Sequence, residues 1–490
     1  MPAGRLHRAF SILPSVYRII AATNLRRRRR PMQFQTLFQP ALERPVQAAL
    51  LGAGEFGLSL IAQARRMRGL DIVAAYDLDP ARVSAALTEM GMPHRRCSNA
   101  AEAEAARAAG ALALCERLDD LLRLPLGMVV EATGHAEAGA AHAEAAIAAG
   151  IGVAMVSKEA ECVVGPELAR QAAAAGVPYT LVDGDQPALL IGLVSWARLL
   201  GLPIVAAGKS SEYDFVLDPA TETVTWLEQR VHAPGMLRHW ALGQDAAATV
   251  EAREALLSSL PLRTVPDSCE MTLVANATGI LPDRDTFHAP LARTVELPEL
   301  YGPRDTGGLL SGPGRLDVFN CLRRPDEASF AGGVYVVVEL ADARTGGLFA
   351  GKGIPVSADR RRALIYNPSH LLGVEAPTSI MAAGAMRHSM VGPDYAQRVD
   401  LLAQATRDLP AGHVLAIEGT RHAVPGLEPL LRPTMPEAPD APLPYYMAVG
   451  LRLRRAVAAG AVLTRDMVEP PAGSTLWRLR AAQEARLPAG

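Results

Sequence analysis

Three glycines that follow a short apolar run constrain this chain more than any other feature. Residues 47–51 are typical of a buried strand, and the run continues into Gly52-x-Gly54-x-x-Gly57. In this order the first glycine permits a tight turn, the second lets backbone N–H groups approach a pyrophosphate, and the third lets the next helix pack closely on the strand. The helix N-terminus then attracts the phosphates. The pattern predicts a dinucleotide-binding βαβ unit, and a plain glycine turn is the alternative.

An acidic residue, Asp77, ends the next apolar run, 71–77. At this place it would accept hydrogen bonds from the adenosine ribose, which favours NAD, because a carboxylate repels the 2′-phosphate of NADP. Arg82 lies five residues further on and would offset that repulsion. The sequence therefore predicts NAD(H) or NADP(H) as the cofactor and leaves the choice between them open, with a flavin nucleotide as a further option.

Strands and helices alternate after this unit. Residues 128–134 and 152–156 are strand-like and residues 136–149 are helical, which predicts an α/β Rossmann domain with a doubly wound parallel sheet over residues 46–180. Ligands of such sheets bind beyond the carboxyl ends of the strands. The predicted cofactor-binding residues are Gly52, Ala53, Gly54, Glu55, Phe56, Gly57, Asp77, Thr133, Gly134 and Ser157.

The pattern changes on either side of this domain. Residues 181–400 mix strand-like and helical stretches with Gly- and Pro-rich connections, which predicts an α+β domain for catalysis and oligomerisation. The Pro-rich stretch 432–445 is expected to be an extended linker or arm. Residues 1–45 include the basic run Arg26–Arg30 and are predicted to be a disordered N-terminal extension, with a transit peptide or anchor as the alternative.

Composition excludes several classes of protein. A net charge of −2 and a pI near 6.6 argue against a general nucleic-acid binder. No uncharged apolar run reaches the roughly 18–20 residues that cross a bilayer. The five cysteines are widely spaced and contain no Cys-x-x-Cys pair, which suits a reducing compartment. We expect a soluble, cytoplasmic protein that acts on a small molecule, without a nucleic-acid or membrane partner.

Two acidic residues, Asp183 and Asp185, follow a further strand-like run. Residues two apart in extended chain project to the same side, so their carboxylates could share a divalent cation such as Mg²⁺ or Mn²⁺. The alternative is an Asp-Gly-Asp turn in which Gly184 supplies positive φ. The sequence provides no third ligand.

Four further residues are candidates for catalysis. Lys158 and Glu159 follow the strand-like run 152–156, where an ammonium could polarise a carbonyl and a carboxylate could relay protons; the alternative is an ordinary helix start capped by Ser157. Lys209 is a second candidate cation, and the alternative is an ordinary lysine on the solvated surface. His370 lies in a polar segment between apolar residues, which is more usual near a site, and the alternative is a hydrogen-bonded structural histidine.

The motifs Gly-Ala-Gly-Glu-Phe-Gly, Val-Val-Glu-Ala-Thr-Gly and Val-Ser-Lys-Glu resemble those of homoserine-dehydrogenase-like NAD(P)-dependent oxidoreductases. Lys158-Glu159, Asp183-Gly-Asp185, residues 366–377 and the segment 453–464 together resemble deoxyxylulose-phosphate reductoisomerase-like proteins with a C-terminal SAF domain. The resemblance implies a small β-rich SAF-like domain over residues 401–490 and a homo-oligomer.

In that family the resemblance implies NADPH-dependent rearrangement and reduction of deoxyxylulose phosphate to methylerythritol phosphate, for isoprenoid biosynthesis, with a divalent metal. Asp183 and Asp185 would be metal ligands, and Lys158 and Glu159 would contact the substrate. Asp185 stands where the family has Glu, and Asp267-x-x-Glu270 is only a distant counterpart of its Asn-Lys-x-x-Glu motif. The alternatives are a homoserine or sugar-acid dehydrogenase and a non-catalytic nucleotide-binding sensor.

Overall fold

Seven parallel strands form the N-terminal sheet, in the order β3-β4-β2-β1-β5-β6-β7. The structure, a computed structural model, describes residues 33–243, 245–418 and 423–487. The strand order reverses direction between β1 and β5, which is the switch point where such sheets bind nucleotides. The strands are β1 Val46–Leu51, β2 Leu70–Tyr76, β3 His94–Cys97, β4 Leu112–Cys115, β5 Met128–Glu131, β6 Gly152–Met155 and β7 Tyr179–Leu181.

Helices cover both faces of this sheet, so its strands are buried almost throughout. They are α1 Phe34–Leu37, α2 Gln39–Glu43, α3 Glu55–Ala64, α4 Pro80–Glu89, α5 Ala100–Ala108, α6 Leu118–Leu121, α7 Ala136–Ala148 and α8 Lys158–Ala175. Local chemistry sets their ends: the Asp79 carboxylate accepts from the backbone N–H of Arg82 at the start of α4, and Gly176 ends α8 with φ +71°.

A second, mixed sheet follows, in the order β11-β10-β9-β14-β8-β15-β16, with β12 and β13 paired to β14. Its strands are β8 Ile204–Ser210, β9 Phe215–Asp218, β10 Thr223–Trp226, β11 Gln229–His232, β12 Leu281–Pro282, β13 Leu291–Ala292, β14 Arg315–Arg323, β15 Val334–Glu339 and β16 Arg362–Asn367. The accompanying helices are α9 Gln186–Leu199, α10 Ala246–Leu256, α11 Val265–Thr278, α12 Leu297–Leu300, α13 Ala343–Ala350 and α14 Pro377–Met386. The predicted α/β class with a second α+β unit is confirmed.

The C-terminal part contains the antiparallel pair β17 Val399–Ala405 and β18 Leu427–Pro433, then α15 Tyr445–Ala448 and α16 Thr475–Glu484. The expectation of a linker at 432–445 is wrong. Pro433 pairs with Val399, and Pro444 forms a bridge with Leu402. Pro433 and Pro444 lie at the ends of paired extended segments, where the missing N–H costs no ladder bond.

Three segments pack outside the region to which the sequence assigns them. Residues 33–45 are not disordered: α2 contacts α14, and Ala41 is buried. Residues 1–32, with Arg26–Arg30, lie outside the described residues. The helix α14 follows the second sheet in the chain yet contacts α2 and β1, β6 and β7 of the first. The helix α16 likewise contacts α7 and α8.

All five cysteines are buried and free of disulfide bonds. In the described parts of the chain, no helix combines the length and apolar character that a bilayer crossing requires.

Candidate active site

The glycine loop has the geometry that the sequence predicts for a phosphate-binding turn. Gly52 has φ +87°, and a Cβ there would lie 2.7 Å from the carbonyl oxygen of Ala132. A Cβ on Gly57 would lie 2.7 Å from the carbonyl oxygen of Gly52, so α3 starts in close contact with the turn. Gly54 is the N-cap of α3, and a Cβ there would meet nothing within 4 Å. The loop therefore keeps an open face at a helix N-terminus, which fits a bound pyrophosphate.

Asp77 and Arg82 lie against this loop. The Asp77 carboxylate accepts a hydrogen bond from the backbone N–H of Ala53 at 2.8 Å and pairs with Arg82 at 3.1 Å. Arg82 also donates to the carbonyl oxygen of Ala53 at 3.1 Å. The acid and the base thus face the same loop, and the arginine is in place to offset repulsion between Asp77 and a 2′-phosphate.

The loops after β5 and β6 are joined directly. The backbone N–H of Gly134 donates to the Ser157 hydroxyl at 2.8 Å, and the Thr133 hydroxyl donates to Glu131 at 2.6 Å. Ser157 precedes α8 but forms no side-chain hydrogen bond to that helix. The helix-cap alternative for this side chain is therefore wrong, and the structure brings Thr133, Gly134 and Ser157 together beyond the strand ends.

Lys158 is the first residue of α8, and its side chain reaches the start of α9 and the helix α11. Its Nζ lies 3.3 Å from Asp185 Oδ2 and donates a short hydrogen bond to Glu270. Burial alone would lower the pKa of Lys158, but the negative charges of Asp185 and Glu270 outweigh it and raise the pKa well above its usual value. The side chain is 25% exposed. Lys158 is therefore an ammonium ion that remains accessible.

Lys209 is buried behind Glu270 and is not on the solvated surface. It is 1% exposed, lies 2.8 Å from Asp267 and donates to the second oxygen of Glu270. Asp267 and Glu270 are three apart on α11, so they share one face of the helix. Burial would raise the pKa of Glu270, but the charges of Lys158 and Lys209 lower it to about 2. Glu270 therefore stays ionised between two ammonium groups.

The Asp183-Gly184-Asp185 segment forms the glycine-dependent turn expected as the alternative to a metal site. Gly184 has φ +91°, and a Cβ there would lie 2.0 Å from the carbonyl oxygen of Leu372, so the turn requires glycine. Asp185 is the N-cap of α9 and accepts from the backbone N–H of Gln186. Burial, with the nearby negative charge of Glu375, raises the pKa of Asp183 to about 6.

These residues do not fit a metal centre in the observed arrangement. A hard divalent cation needs several oxygen ligands around one point, whereas the Asp185 carboxylate is paired with the Lys158 ammonium. Within the described ranges, no group of three or more His, Cys, Asp or Glu residues could hold a metal ion. The metal role of Asp183 and Asp185 stays a prediction.

Glu159 and His370 lie on different sides of this centre. Glu159 is 5% exposed, and burial raises its pKa to about 7, although Lys158 acts in the opposite direction. The His370 Nδ1 lies 3.1 Å from the carbonyl oxygen of Gly332. A Cβ on Gly332 would lie within 3.0 Å of both the His370 ring and the Gln186 side chain. His370 is therefore near the start of α9, with its ring held by the backbone.

The sequence pattern indicates only a distant role for Asp267 and Glu270, because both lie in the first turns of a largely apolar helix without a recognisable motif. A compositional signal points to this cluster. The chain contains 49 basic residues, but only three are lysines, Lys158, Lys209 and Lys352. An ammonium is compact and can change protonation, whereas a guanidinium is always charged. Two lysines kept in an arginine-rich chain indicate positions where arginine would not serve.

Three family models match consecutive parts of the chain. Residues 52–181 match the homoserine dehydrogenase NAD-binding domain, residues 184–376 match the catalytic domain of oxidoreductase DRL, and residues 403–469 match the SAF domain. The chain matches no curated protein sequence.

Solved structures resemble the chain only distantly. A probable dehydrogenase from Thermotoga maritima is 9% identical, with 70% of this chain and 90% of that one covered and a TM-score of 0.35. The WlbA dehydrogenase from Bordetella pertussis, in complex with NADH and UDP-GlcNAcA, is 20% identical, with 36% and 48% covered and a TM-score of 0.26. A DOX-P reductoisomerase with fosmidomycin and magnesium is 16% identical, with 47% and 57% covered and a TM-score of 0.27.

This chain spans about half the length of the last two structures, and none of the three supports an argument about activity. The domain matches and the glycine-loop geometry carry the conclusion instead. The nucleotide-binding half and the catalytic half are both of oxidoreductase type. By these matches the chain joins a homoserine-dehydrogenase-type NAD-binding domain to a DRL-type catalytic domain and a SAF domain, which is a domain arrangement of oxidoreductase type.

Proposed function

We propose that this oxidoreductase interconverts a carbonyl and an alcohol in a small sugar-derived substrate, phosphorylated or not, and that Lys158 contacts the reacting oxygen. The observation that carries the proposal is the position of the Lys158 ammonium. It lies beyond the ends of β6 and β7, next to the loop of Gly134 and Ser157, and is held by Asp185 and Glu270. A cation fixed beside a nucleotide crevice is suited to polarise a substrate carbonyl.

The bound nicotinamide would supply or accept the hydride. In the reducing direction Lys158 donates a hydrogen bond to the carbonyl oxygen and stabilises the negative charge that develops there. An alkoxide is more basic than a lysine amine, so the proton moves from Nζ to oxygen, and solvent restores it. The alcohol thus gains one hydride at carbon and one proton at oxygen. Asp185 and Glu270 orient the ammonium, and Lys209 and Asp267 hold Glu270 in place.

The substrate class rests on the resemblance of the catalytic segments to reductoisomerase-like proteins and on the match of residues 184–376 to the DRL catalytic domain. A homoserine or sugar-acid dehydrogenase would use the same ammonium. A non-catalytic sensor would have no use for a partly exposed lysine held by two carboxylates.

The specific conversion of deoxyxylulose phosphate to methylerythritol phosphate is the second candidate. Glu270 favours it, because the fold brings this residue of the Asp267-x-x-Glu270 segment beside Asp185 through Lys158. The reaction would require a divalent cation, which the observed arrangement of carboxylates does not fit. We therefore place a lysine-dependent carbonyl reduction first.

The test is the loss of NADPH and NADH absorbance with purified protein and a panel of deoxyxylulose phosphate, other ketose phosphates, keto-sugar acids and aspartate semialdehyde. Each reaction is run with Mg²⁺ or Mn²⁺ and again with EDTA. Turnover that survives EDTA and is lost in Lys158→Gln supports the proposal. EDTA-sensitive formation of methylerythritol phosphate would replace it with the reductoisomerase reaction. Tight nucleotide binding without turnover of any compound would favour the non-catalytic nucleotide-binding sensor.

A further inference from the structure

A cavity of about 330 Å³ lies between the Rossmann domain and the C-terminal domain. Its volume is at the lower end of the range of small-molecule sites, about 300–1,000 Å³. Residues 134–137 and Glu159 line it on the Rossmann side. Residues of the C-terminal domain, among them Ile417, Tyr446 and Trp477, line the other side.

The cavity adjoins the reaction centre. Gly134 lines it and also donates the hydrogen bond that ties the β5 loop to Ser157. Glu159 lines it and follows Lys158 directly in the first turn of α8. The Lys158 charge acts on the pKa of Glu159, so the carboxylate and the ammonium are electrostatic neighbours. A molecule in the cavity would therefore extend toward the proposed reacting oxygen.

The lining is mixed in chemistry, and the histidine among its described residues, His135, accepts a hydrogen bond through Nδ1 from a backbone N–H of α7 as the N-cap of that helix. Tyr446, Trp477 and Ile417 provide aromatic and aliphatic surface, and Glu159 provides a carboxylate. The described residues that line the cavity include no lysine or arginine. A phosphate or carboxylate would therefore find no lysine or arginine to neutralise it, which is costly away from bulk water. Neutral hydroxyl groups, in contrast, can donate to a carboxylate.

The second carboxylate of the lining, Glu137, is engaged in hydrogen bonds at the start of α16. It accepts hydrogen bonds from the Ser474 hydroxyl and from the backbone N–H of Thr475 at 2.7 Å, and so caps the N-terminus of α16. Tyr446 is 5% exposed. Burial, together with the negative charge of neighbouring groups including Glu159, raises its pKa well above the usual value, so the phenol remains a hydrogen-bond donor.

We propose that this cavity binds the neutral, hydroxylated part of the substrate, with the carbon-bound hydrogens of a sugar or polyol packed against Tyr446 and Trp477 and a hydroxyl bonded to Glu159. The proposal rests on the proposed function, since it extends the same substrate from the Lys158 centre. It makes the C-terminal domain the part of the protein that determines substrate class. A charged group on the substrate would lie outside the cavity.

Ile417 provides the test, because it lines the cavity yet is 37% exposed, so a larger side chain can be introduced without disturbing the core. Ile417→Trp should fill part of the cavity. Val414→Trp is the matched control, since Val414 lies on the same segment, is 41% exposed and does not line the cavity. Saturation-transfer difference NMR would measure binding of uncharged pentoses, hexoses and polyols in the presence of NADH. Each compound is compared with its phosphorylated form.

We expect at least one uncharged compound to bind the wild type and Val414→Trp equally, and Ile417→Trp to weaken that binding at least tenfold while leaving the Kd of NADH unchanged. Binding of phosphorylated compounds alone, binding of none, or equal binding by all three proteins would overturn the proposal. The two proposals fail separately. If Ile417→Trp blocks binding but Lys158→Gln retains full turnover, the Lys158 mechanism is wrong and the cavity assignment stands.

Discussion

Lys158 Nζ lies 3.3 Å from Asp185 Oδ2, and this ion pair joins the first residue of α8 to the N-cap of α9. Because α8 follows β6 and α9 leads into the second sheet, the pair connects the nucleotide-binding domain to the catalytic domain. Glu270 of α11 adds a second connection to the same nitrogen. The geometry of the ammonium thus depends on the relative position of the two domains.

Replacing Lys158 with Gln removes the proposed hydrogen-bond donor and its charge. We expect kcat to fall by about 10²–10⁴, the range associated with loss of a positioned acid or oxyanion donor, with the Kd of NADH within about twofold of wild type. Lys352→Gln, at an exposed lysine, is the control and should leave both values unchanged. Steady-state kinetics and a fluorescence titration check this, and unchanged kcat in Lys158→Gln would remove the lysine from the mechanism.

Gly54→Ala should separate nucleotide binding from folding. A Cβ at Gly54 meets no protein atom within 4 Å, so we expect the Tm to remain within a few degrees of wild type. The methyl group would nevertheless occupy the face that a pyrophosphate approaches, and the affinity for NADH should fall at least tenfold. Gly312→Ala, also in open space, is the control for the loss of a glycine. Equal NADH affinity in both variants would place the nucleotide elsewhere.

Arg82→Ala tests the choice between NADH and NADPH. The guanidinium pairs with Asp77 and holds the carbonyl oxygen of Ala53, so it lies where it can approach a 2′-phosphate. We expect the Kd for NADPH to rise about tenfold and the Kd for NADH to change much less, since a charge-assisted contact is lost only with the phosphorylated nucleotide. Arg66→Ala, at an exposed arginine of the same domain, should leave the ratio unchanged.

The stability of Glu159→Gln relative to wild type should depend on pH. Burial raises the pKa of Glu159 from 4.5 to about 7, so folding favours its protonated form. The contribution of this group to stability is fully present below pH 4.5 and is lost as the pH rises through about 7. The variant should therefore gain stability relative to wild type across that window, by roughly 3 kcal/mol at most, and level off above it. Urea unfolding at several pH values measures the difference, and a difference independent of pH would contradict the shift.

Two arginines of α16 should differ sharply in their importance for stability. Arg480 is 1% exposed and pairs with Asp400 and Glu484, whereas Arg478 is exposed and pairs only with Glu144 among the described residues. Arg480→Ala leaves the buried Asp400 carboxylate without its cation and Glu484 with Arg465 alone, and should cost about 3–5 kcal/mol. Arg478→Ala should cost at most about 1 kcal/mol. Similar losses in urea unfolding would show that the buried triad is not the main support of this helix.

The nucleotide-binding half was predictable because its signals are local. The turn at Gly52, the open face at Gly54 and the acid at Asp77 lie within one βαβ unit, and each residue has a fixed task at a fixed spacing. The predicted cluster beyond the strand ends also follows from topology, since parallel strands place Thr133 and Ser157 at the same edge of the sheet.

The lysine centre was only half predictable because its members are distant in the chain. Lys158 and Glu270 are separated by 112 residues and Lys209 and Glu270 by 61, and no periodicity indicates that α11 contacts α8. The burial of Lys209 depends on the same contact. The placement of residues 432–445 failed for a related reason: Pro433 and Pro444 resemble a linker locally, but their partners Val399 and Leu402 lie much earlier in the chain.

The contact of α16 with α7 and α8 has a consequence for the order in which the molecule can become active. Those two helices carry the cavity residues and Lys158 at their N-termini, and Arg480 of α16 donates to the carbonyl oxygen of Val163 within α8. A growing chain could complete its Rossmann sheet early during synthesis, but α8 would still lack this support. Lys158 would therefore reach its final surroundings only after residue 484 has left the ribosome.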